Sequence, residues 1–461
     1  MKDFLARCLI FAILFVPWGV TEIAASEEPQ MPVLEEKQVA ALVLKGATLY
    51  TVTDGIVPNG ILVVQDGKIV AVGPSSEVTV PDGAVVRDVS GKVILPGLVD
   101  THSHLGVYPH PRVPANADGN ETTGPVQSVV RALDAIYPSD PGIRMAQAGG
   151  ITTANIMPGS GNAVGGQTAY VKLRGRTIED MLIHKDGIQG GMKMANGENP
   201  KRAYASRKQT PATRMAVAAL QRQLFIRAQN HQKKWDAYAE KKEEDEKAKP
   251  PDPDIALDPV IEILQGKRTV HFHTHRADDI MTAIRLAEEF QFPLVLQHVS
   301  EGYKVADEIA RRNIPCSVIV LDAPGGKPEA IEMTLRNAAV LEKAGVKVAF
   351  HTDDPITDSR FFLRMTALAI RAGMSEAAAL RALTIHAAEM LDLQDRIGSL
   401  EVGKDADLVV LSGPPFSVYS HVLETYIEGE KVFDRSRPSD IRYATGGFAV
   451  ADRYPARQKT Q

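Results

Sequence analysis

Apolar and polar residues follow one pattern at the two ends of the chain and another in its middle. Short alternating runs at 41–44, 61–64 and 69–72 are separated by breaks such as Asp66-Gly67, which is typical of antiparallel strands. The segments 406–411 and 425–433, near the other end, have the same character. We therefore expect one small β-sandwich domain assembled from both chain ends, residues 40–92 and 397–435.

The middle of the chain, residues 93–396, alternates apolar strands with helical patterns, which favours a parallel sheet. Helices are expected at 278–290, 303–312, 334–344 and 376–391, the last with Ser375 as its N-cap. The expected strands are 93–99, 151–157, 169–173, 188–194, 269–272, 294–296, 315–320 and 347–350. Eight strands with intervening helices predict an α/β fold, a (β/α)₈ TIM-like barrel, although the pattern alone also fits a doubly wound sheet.

One long segment, at about 200–258, interrupts this alternation. Its part from 211 to 249 is helical and highly charged, and Pro250, Pro251 and Pro253 end it. A charged run of this kind predicts a solvated helix face. A helical cover near the barrel mouth is the alternative.

The N-terminal residues have the pattern of a secretory signal. Lys2 and Arg7 precede an apolar run at 8–20, and small residues follow at 24–26. The run is shorter than the ~20 residues of a spanning helix, and Pro17 interrupts it. We expect a signal peptide at 1–26 and a periplasmic or secreted protein without stable membrane insertion after cleavage.

Bulk composition narrows the function classes. The chain has 461 residues, enough for a barrel of ~250 residues and a second domain. Its net charge of -5 argues against nucleic acid as the main partner. Of the two cysteines, Cys8 lies in the segment expected to be removed, so Cys316 has no partner for an intramolecular disulfide. A homo-oligomer is compatible with the sequence.

Candidate chemistry begins at the end of the first predicted barrel strand. His102 and His104 follow an apolar run, and residues i and i+2 of a strand face the same side. Both imidazoles are therefore expected at the barrel mouth, where active sites of such barrels lie, and they could bind one metal ion. Asp100 has the same parity and could support the pair.

Further candidate ligands follow later strands. They are His271, His273 and His275 after the fifth strand, His298 after the sixth, and His351, Asp353 and Asp354 after the eighth. Three histidines would overfill one ligand position, so some must support the ligands or face the substrate. By parity, His351 could be a hydrogen-bond donor behind the ligands, whereas Asp354 should shape the loop. Burying this many imidazole and carboxylate groups without a metal would be costly.

Two motifs carry a resemblance to a known family. Residues 95–104, Leu-Pro-Gly-Leu-Val-Asp-Thr-His-Ser-His, resemble the opening motif of the amidohydrolase superfamily. Residues 398–409 resemble its closing segment, where the chain re-enters the small β domain. The resemblance spans about residues 40–433, and the branch most similar is the imidazolonepropionase-like group.

The resemblance implies a ligand set for a divalent metal, expected to be zinc, with one or two ions per chain. That set is His102, His104, His273, His298 and Asp353, together with a carbamylated lysine or a glutamate after the fourth strand. Lys193 is favoured over Glu198 for this position, and His273 over His275 at the fifth strand. Both alternatives stay open.

The expected reaction is hydrolysis of a C–N bond in a small amide, cyclic amide or dipeptide-like substrate. A metal-activated water would attack, and Asp353 would take its proton. A deaminase of the same fold is the alternative, and a noncatalytic periplasmic binding protein would need a broken ligand set. The Gly-rich segment 158–167 lacks the Lys-Ser/Thr of a phosphate loop, so we interpret it as a loop lining the mouth.

Overall fold

The computed structural model describes residues 40–111, 113–320 and 327–446. The strands are β1 Leu42–Tyr50, β2 Ile56–Gln65, β3 Lys68–Pro74, β4 Val85–Asp88, β5 Val93–Pro96, β6 Leu98–Ser103, β7 Ile151–Ile156, β8 Val164–Gln167, β9 Ala169–Lys172, β10 Met192–Ala195, β11 Val270–Thr274, β12 Leu294–His298, β13 Cys316–Val318, β14 Val348–Phe350, β15 Leu408–Leu411, β16 Val422–Ile427 and β17 Glu430–Asp434. The predicted signal peptide, with Cys8, lies outside the described residues.

The helices are distributed mainly between the strands of the middle region. They are α1 Pro141–Ala148, α2 Ile178–Met181, α3 Glu198–Ala205, α4 Arg214–Glu244, α5 Asp258–Leu264, α6 Ala277–Phe290, α7 Ala306–Arg311, α8 Asn337–Lys343, α9 Phe362–Arg371, α10 Glu376–Leu383, α11 Ile385–Met390 and α12 Pro438–Thr445. No helix in the described ranges has both the length and the hydropathy needed to cross a bilayer.

Strands from both ends of the chain pair in one eight-stranded sheet, in the order β17-β16-β15-β5-β1-β2-β3, with β4 also paired to β1. The prediction of a single barrel strand at 93–99 is wrong, because the chain changes sheets at Gly97. Strand β5 lies between β15 and β1, whereas β6 pairs with β7. A Cβ at Gly97 would lie 2.2 Å from the Thr152 hydroxyl, so only glycine fits where the chain crosses.

The middle region contains two further sheets, β14-β13-β12-β11-β10-β8 and β6-β7-β9. Strands β10 to β14 are all parallel, as expected. The backbone N–H of Asp353, just after β14, donates to the His102 carbonyl at 2.9 Å, which brings the ends of β14 and β6 together. The metal-ligand candidates at these strand ends are therefore neighbours.

Two strand predictions are wrong in this region. Strand β9, predicted as a parallel strand at 169–173, is antiparallel to β7, and the predicted loop 158–167 contains β8, which is antiparallel to β10. Parallel neighbours need a crossover connection, usually a helix. The segment between β7 and β9 contains β8 instead, so β9 returns in the opposite direction.

The helical predictions agree better with the structure. The first half of α4 packs through Phe225, whose ring lies 4.9 Å from both Phe290 and Phe292, whereas residues 232–244 are mostly exposed. The predicted helix 376–391 divides at Thr384 into α10 and α11. Ser375 caps α10, as predicted, by accepting a hydrogen bond from the N–H of Ala378.

Candidate metal centre

The first group of ligand candidates forms where β6 ends. The side chains of His102 and His104 are buried, and their Nε2 atoms lie 3.4 and 3.0 Å from Oδ1 of Asp353. These three side chains offer donor atoms close enough to hold one metal ion. The His-x-His parity and the carboxylate after β14 are thus brought together as the sequence suggested.

Asp100 holds the two strand ends in position. Its carboxylate accepts hydrogen bonds from the backbone N–H of His102 and from the N–H and hydroxyl of Thr352. Asp353, the next residue, begins a turn and has φ +51°, a left-handed conformation that aspartate adopts more readily than most residues. Burial raises the pKa of Asp100 to about 7. Its role is to support the loop that presents Asp353.

The second group comes from β11 and β12. His273, His275 and His298 are buried, and their nitrogen atoms also converge within metal-binding distance. Nδ1 of His273 lies 2.9 Å from the Ser160 hydroxyl, and Nδ1 of His275 lies 2.7 Å from that of Ser300. Hydrogen bonds at Nδ1 orient both rings and direct Nε2 into the site, as behind metal-ligating histidines.

Lys193 is the residue of β10 that joins the cluster. It is fully buried, and its Nζ lies 2.9 Å from Nε2 of His102 and 3.2 Å from Sδ of Met157. Burial lowers the pKa of its amine to about 7. Glu198 instead begins α3, and its carboxylate lies 3.9 Å from Arg202. It belongs to none of the three ligand groups found among the described residues.

His271 and Asp354 are located away from the cluster. His271 is held between the Tyr170 hydroxyl at 2.9 Å and the Gln297 amide at 3.1 Å. Asp354 accepts hydrogen bonds from the N–H and hydroxyl of Ser359, which agrees with the predicted loop-shaping role. Sequence parity therefore distinguished the positions of Asp353 and Asp354, but it could not separate His271 from His273 and His275, which have the same parity.

The protonation of the cluster suits a cation. Burial lowers the pKa of His102, His273, His275 and His298 well below the ordinary value, so each ring is neutral at neutral pH and has one nitrogen with a lone pair. Burial opposes ionisation of Asp353, but the hydrogen bond from His104 and nearby charges hold its pKa below the ordinary value. Metal ions need deprotonated ligands, so this set of residues fits one.

Sequence reasoning missed Glu329 and Lys327, which lie beside the second group. The Glu329 side chain is 1% exposed, and its Oε1 lies 3.9 and 3.8 Å from Nε2 of His273 and His275. Nζ of Lys327 lies 3.1 Å from Nε2 of His275. Glu329 lies in the single 3₁₀ turn Pro328–Ala330 after β13 and Lys327 directly precedes it, and so short a turn has no periodic pattern that marks them.

A large cavity opens over the cluster. Its volume is about 1040 Å³, and His104, His273, His275, His298 and Asp353 form part of its wall. Much of the remaining lining is apolar, including Val113, Ile319, Met333 and Ile356. Apart from Asp353, the charged side chains that line the described part of the cavity are Arg202 and Lys327, both cationic.

Comparisons with known proteins agree with this geometry. The profile of the Amidohydrolase family matches residues 93–433. The amidohydrolase tasK of Hapsidospora irregularis is 30% identical over an alignment of 399 residues, which covers 83% of this chain but only 40% of that relative. An imidazolonepropionase of Streptococcus pyogenes is 26% identical, covering 83% of this chain and 92% of the relative.

Among solved structures, an amidohydrolase from Thermotoga maritima matches with a TM-score of 0.81 and 41% identity, covering 86% of this chain and 100% of that one. The fold is thus TIM-barrel-like with mixed α/β content, and the resemblance to imidazolonepropionase-like members is confirmed. The chain belongs to the amidohydrolase family, whose members are metal-dependent hydrolases that act on carbon–nitrogen bonds.

Proposed function

We propose that this protein hydrolyses the C–N bond of an amide, cyclic amide or dipeptide-like substrate. The observation that carries the proposal is the convergence of imidazoles and a carboxylate at the wall of one large cavity, with the buried amine of Lys193 in contact with His102. A noncatalytic binding protein has no need for this arrangement, since orphaned buried ligands cost stability.

Zinc is the metal we propose, as one or two ions per chain. His102, His104 and Asp353 would hold it on one side of the cluster, and His273 and His298 on the other. Lys193, as a carbamate formed with CO₂, would serve both sides, and Glu198 is the less supported alternative because its carboxylate faces Arg202. Bound zinc lowers the pKa of water towards ~7 and polarises a carbonyl group.

Asp353 is the residue we propose for proton transfer. Its carboxylate is ionised beside His104 and lies at the cavity wall, where it can accept a proton from the attacking water. The same oxygen can then donate that proton to the departing nitrogen. A nitrogen that leaves without a proton is a poor leaving group, so this step carries much of the rate.

The cavity lining narrows the substrate class. Arg202 and Lys327 are the cationic side chains of the lining, with Glu198 at 3.9 Å and Glu329 at 3.7 Å as their respective partners, and the rest of the wall is largely apolar. This combination suits a substrate with an apolar group and an anionic group, such as a dipeptide or an N-acyl amino acid. It suits a neutral amino-substituted ring, the substrate of a deaminase, less well.

The test is a hydrolysis assay with zinc-loaded protein. The panel would contain dipeptides, N-acyl amino acids, cyclic amides and amino-substituted rings, with new amines and ammonia measured separately. We expect release of an amine or opening of a ring, lost on chelation and restored by zinc. Release of ammonia from the rings alone would replace this proposal with a deaminase.

For the domain organisation, we propose that residues 40–92 and 397–435 form one β-sandwich domain beside the catalytic barrel at 93–396.

We also propose that the protein is exported, with cleavage between about Ala24 and Ser26. The sequence pattern of residues 1–26 supports export. Mass spectrometry of the mature protein from its native host tests it. An intact Met1 would contradict cleavage.

A further inference from the structure

A buried chain of hydrogen bonds lies behind the second ligand group. The Thr101 hydroxyl lies 3.2 Å from the Phe350 carbonyl oxygen and 2.5 Å from the Ser317 hydroxyl. The Ser317 hydroxyl lies 2.6 Å from Nδ1 of His351, and Nε2 of His351 lies 3.1 Å from Nδ1 of His298. The four residues that these hydrogen bonds connect through their side chains are at most 1% exposed.

The direction of each hydrogen bond follows from the first acceptor. A carbonyl oxygen can only accept, so the single proton of the Thr101 hydroxyl is donated to Phe350. Ser317 must then donate to Thr101, and its oxygen accepts from Nδ1–H of His351. In a neutral ring the other nitrogen is an acceptor, so Nε2 of His351 accepts from Nδ1–H of His298.

We infer that His351 is a positioning residue that fixes His298 in the tautomer whose Nε2 carries a lone pair directed at the metal site. The sequence predicts that His351 is a hydrogen-bond donor behind the ligands, whereas in this series of hydrogen bonds its Nε2 is an acceptor. The role of this tautomer in metal binding rests on the proposed function, but the tautomer itself is a property of the metal-free protein.

Two further observations favour this direction. Nε2 of His298 is buried and has no hydrogen-bond partner in the described parts of the chain. A proton there would be a buried donor without an acceptor, which is costly, whereas a lone pair is what a cation needs. His298 also has φ +71°, an uncommon backbone conformation that persists where the surrounding structure fixes it, and the hydrogen bond to His351 is part of those surroundings.

His351 itself is close enough to the cluster to be considered as a ligand, because it forms a possible metal-binding group with His102 and His298. In that group, however, its Nε2 already accepts from His298, and its Nδ1 donates to Ser317. Both ring nitrogens are therefore used within the protein. The ligand role is the competing interpretation that the experiments below separate.

The first experiment measures the tautomer directly. Metal-free protein is labelled with ¹⁵N-histidine, and the ring signals of His298 are identified by their loss in His298→Gln. We expect a protonated Nδ1 and an unprotonated Nε2. A protonated Nε2 in His298 would overturn the inference, whether or not the protein binds zinc.

The second experiment measures zinc affinity by competition with a chromophoric chelator. His351→Leu removes the acceptor, and we expect affinity to fall by roughly 10- to 100-fold, the usual effect of losing a residue that orients a metal ligand. His351→Gln keeps a carbonyl acceptor and should recover most of the loss. His271→Leu is the matched control, because it removes a buried histidine that contacts neither group.

The outcomes separate this inference from the proposed function. If the wild type binds no zinc, the proposed function fails. If the wild type binds zinc and His351→Leu binds it equally well, only the positioning role fails. If His351→Gln loses as much affinity as His351→Leu and one ion fewer is bound, His351 is a ligand instead. Thermal unfolding of the metal-free variants shows that each is folded.

Discussion

Two lysines of this protein, Lys172 and Lys193, are buried to the same degree but have different neighbours. Lys172, in β9, is 1% exposed, and its Nζ lies 2.6 Å from Asp407 and 3.0 Å from Asp405. Lys193, in β10, is 0% exposed, and its amine contacts His102 and Met157. No carboxylate in the described ranges lies within 4 Å of it.

The difference shows how the same residue type serves structure in one region and chemistry in another. Lys172 forms ion pairs with two buried carboxylates and connects β9 to the segment before β15. Among the described residues Lys193 has no carboxylate within ion-pair distance, so burial lowers the pKa of its amine to about 7 and leaves much of it neutral at neutral pH. Only a neutral amine can add CO₂ to form a carbamate, so the lack of a close carboxylate is what suits Lys193 to the ligand role.

The largest effect is expected from Lys193→Met. This variant should lose activity and zinc affinity by more than the ~10²-fold that follows the loss of a residue supporting a ligand. Metal analysis and the hydrolysis assay measure both effects. Lys193→Ala should regain part of its activity in acetate or propionate, because a small carboxylate can occupy the position of the carbamate. Full activity in Lys193→Met would contradict the ligand role.

A comparison of Asp353 with Asp354 tests the same distinction between a residue that serves chemistry and one that serves structure. Asp353→Asn should lower turnover by ~10² to 10⁴, because asparagine has the shape of aspartate but cannot accept the proton. Asp354→Asn is the matched control, since its side chain bonds Ser359 instead. If turnover is lost in Asp354→Asn and kept in Asp353→Asn, the assignment of proton transfer to Asp353 is wrong.

Lys172→Met should affect stability and leave the chemistry alone. Removing one partner of a buried ion pair typically costs about 3–5 kcal/mol, because the remaining charge is left uncompensated. Asp405 keeps Lys68 and Arg396 as partners, so the loss falls mainly on Asp407. Urea unfolding measures the change, and kcat per folded molecule should match the wild type. An unchanged unfolding midpoint would refute the structural role.

The smallest effect is expected from Lys327→Met. If this lysine binds an anionic group of the substrate, KM should rise roughly tenfold or more, the equivalent of one charge-assisted hydrogen bond. Lys327→Arg should retain part of the affinity. The same substrate with its carboxylate converted to a carboxamide should show no difference between wild type and variant. A KM increase of equal size for both substrates would exclude charge recognition.

The sequence predicted the site better than the strand directions around it. Parity and strand ends predicted that His102, His104 and Asp353 lie together, as they do in the structure, because side-chain direction in a strand is a local property. The reversal of β9 depends on β8, a short Gly-rich strand that carries no alternating signal. Glu329 and Lys327 reach the cluster from a single 3₁₀ turn, and the position of so short an element depends on tertiary contacts.

The central claim is that the histidine cluster binds a catalytic metal. The most direct measurement is the zinc content of wild type, His102→Ala and His104→Ala after chelator treatment, reloading and dialysis. We expect about one or two ions per wild-type chain, fewer in both variants, and activity that follows the bound zinc. A wild-type protein that is active without bound metal, or variants with normal zinc content, would contradict the account.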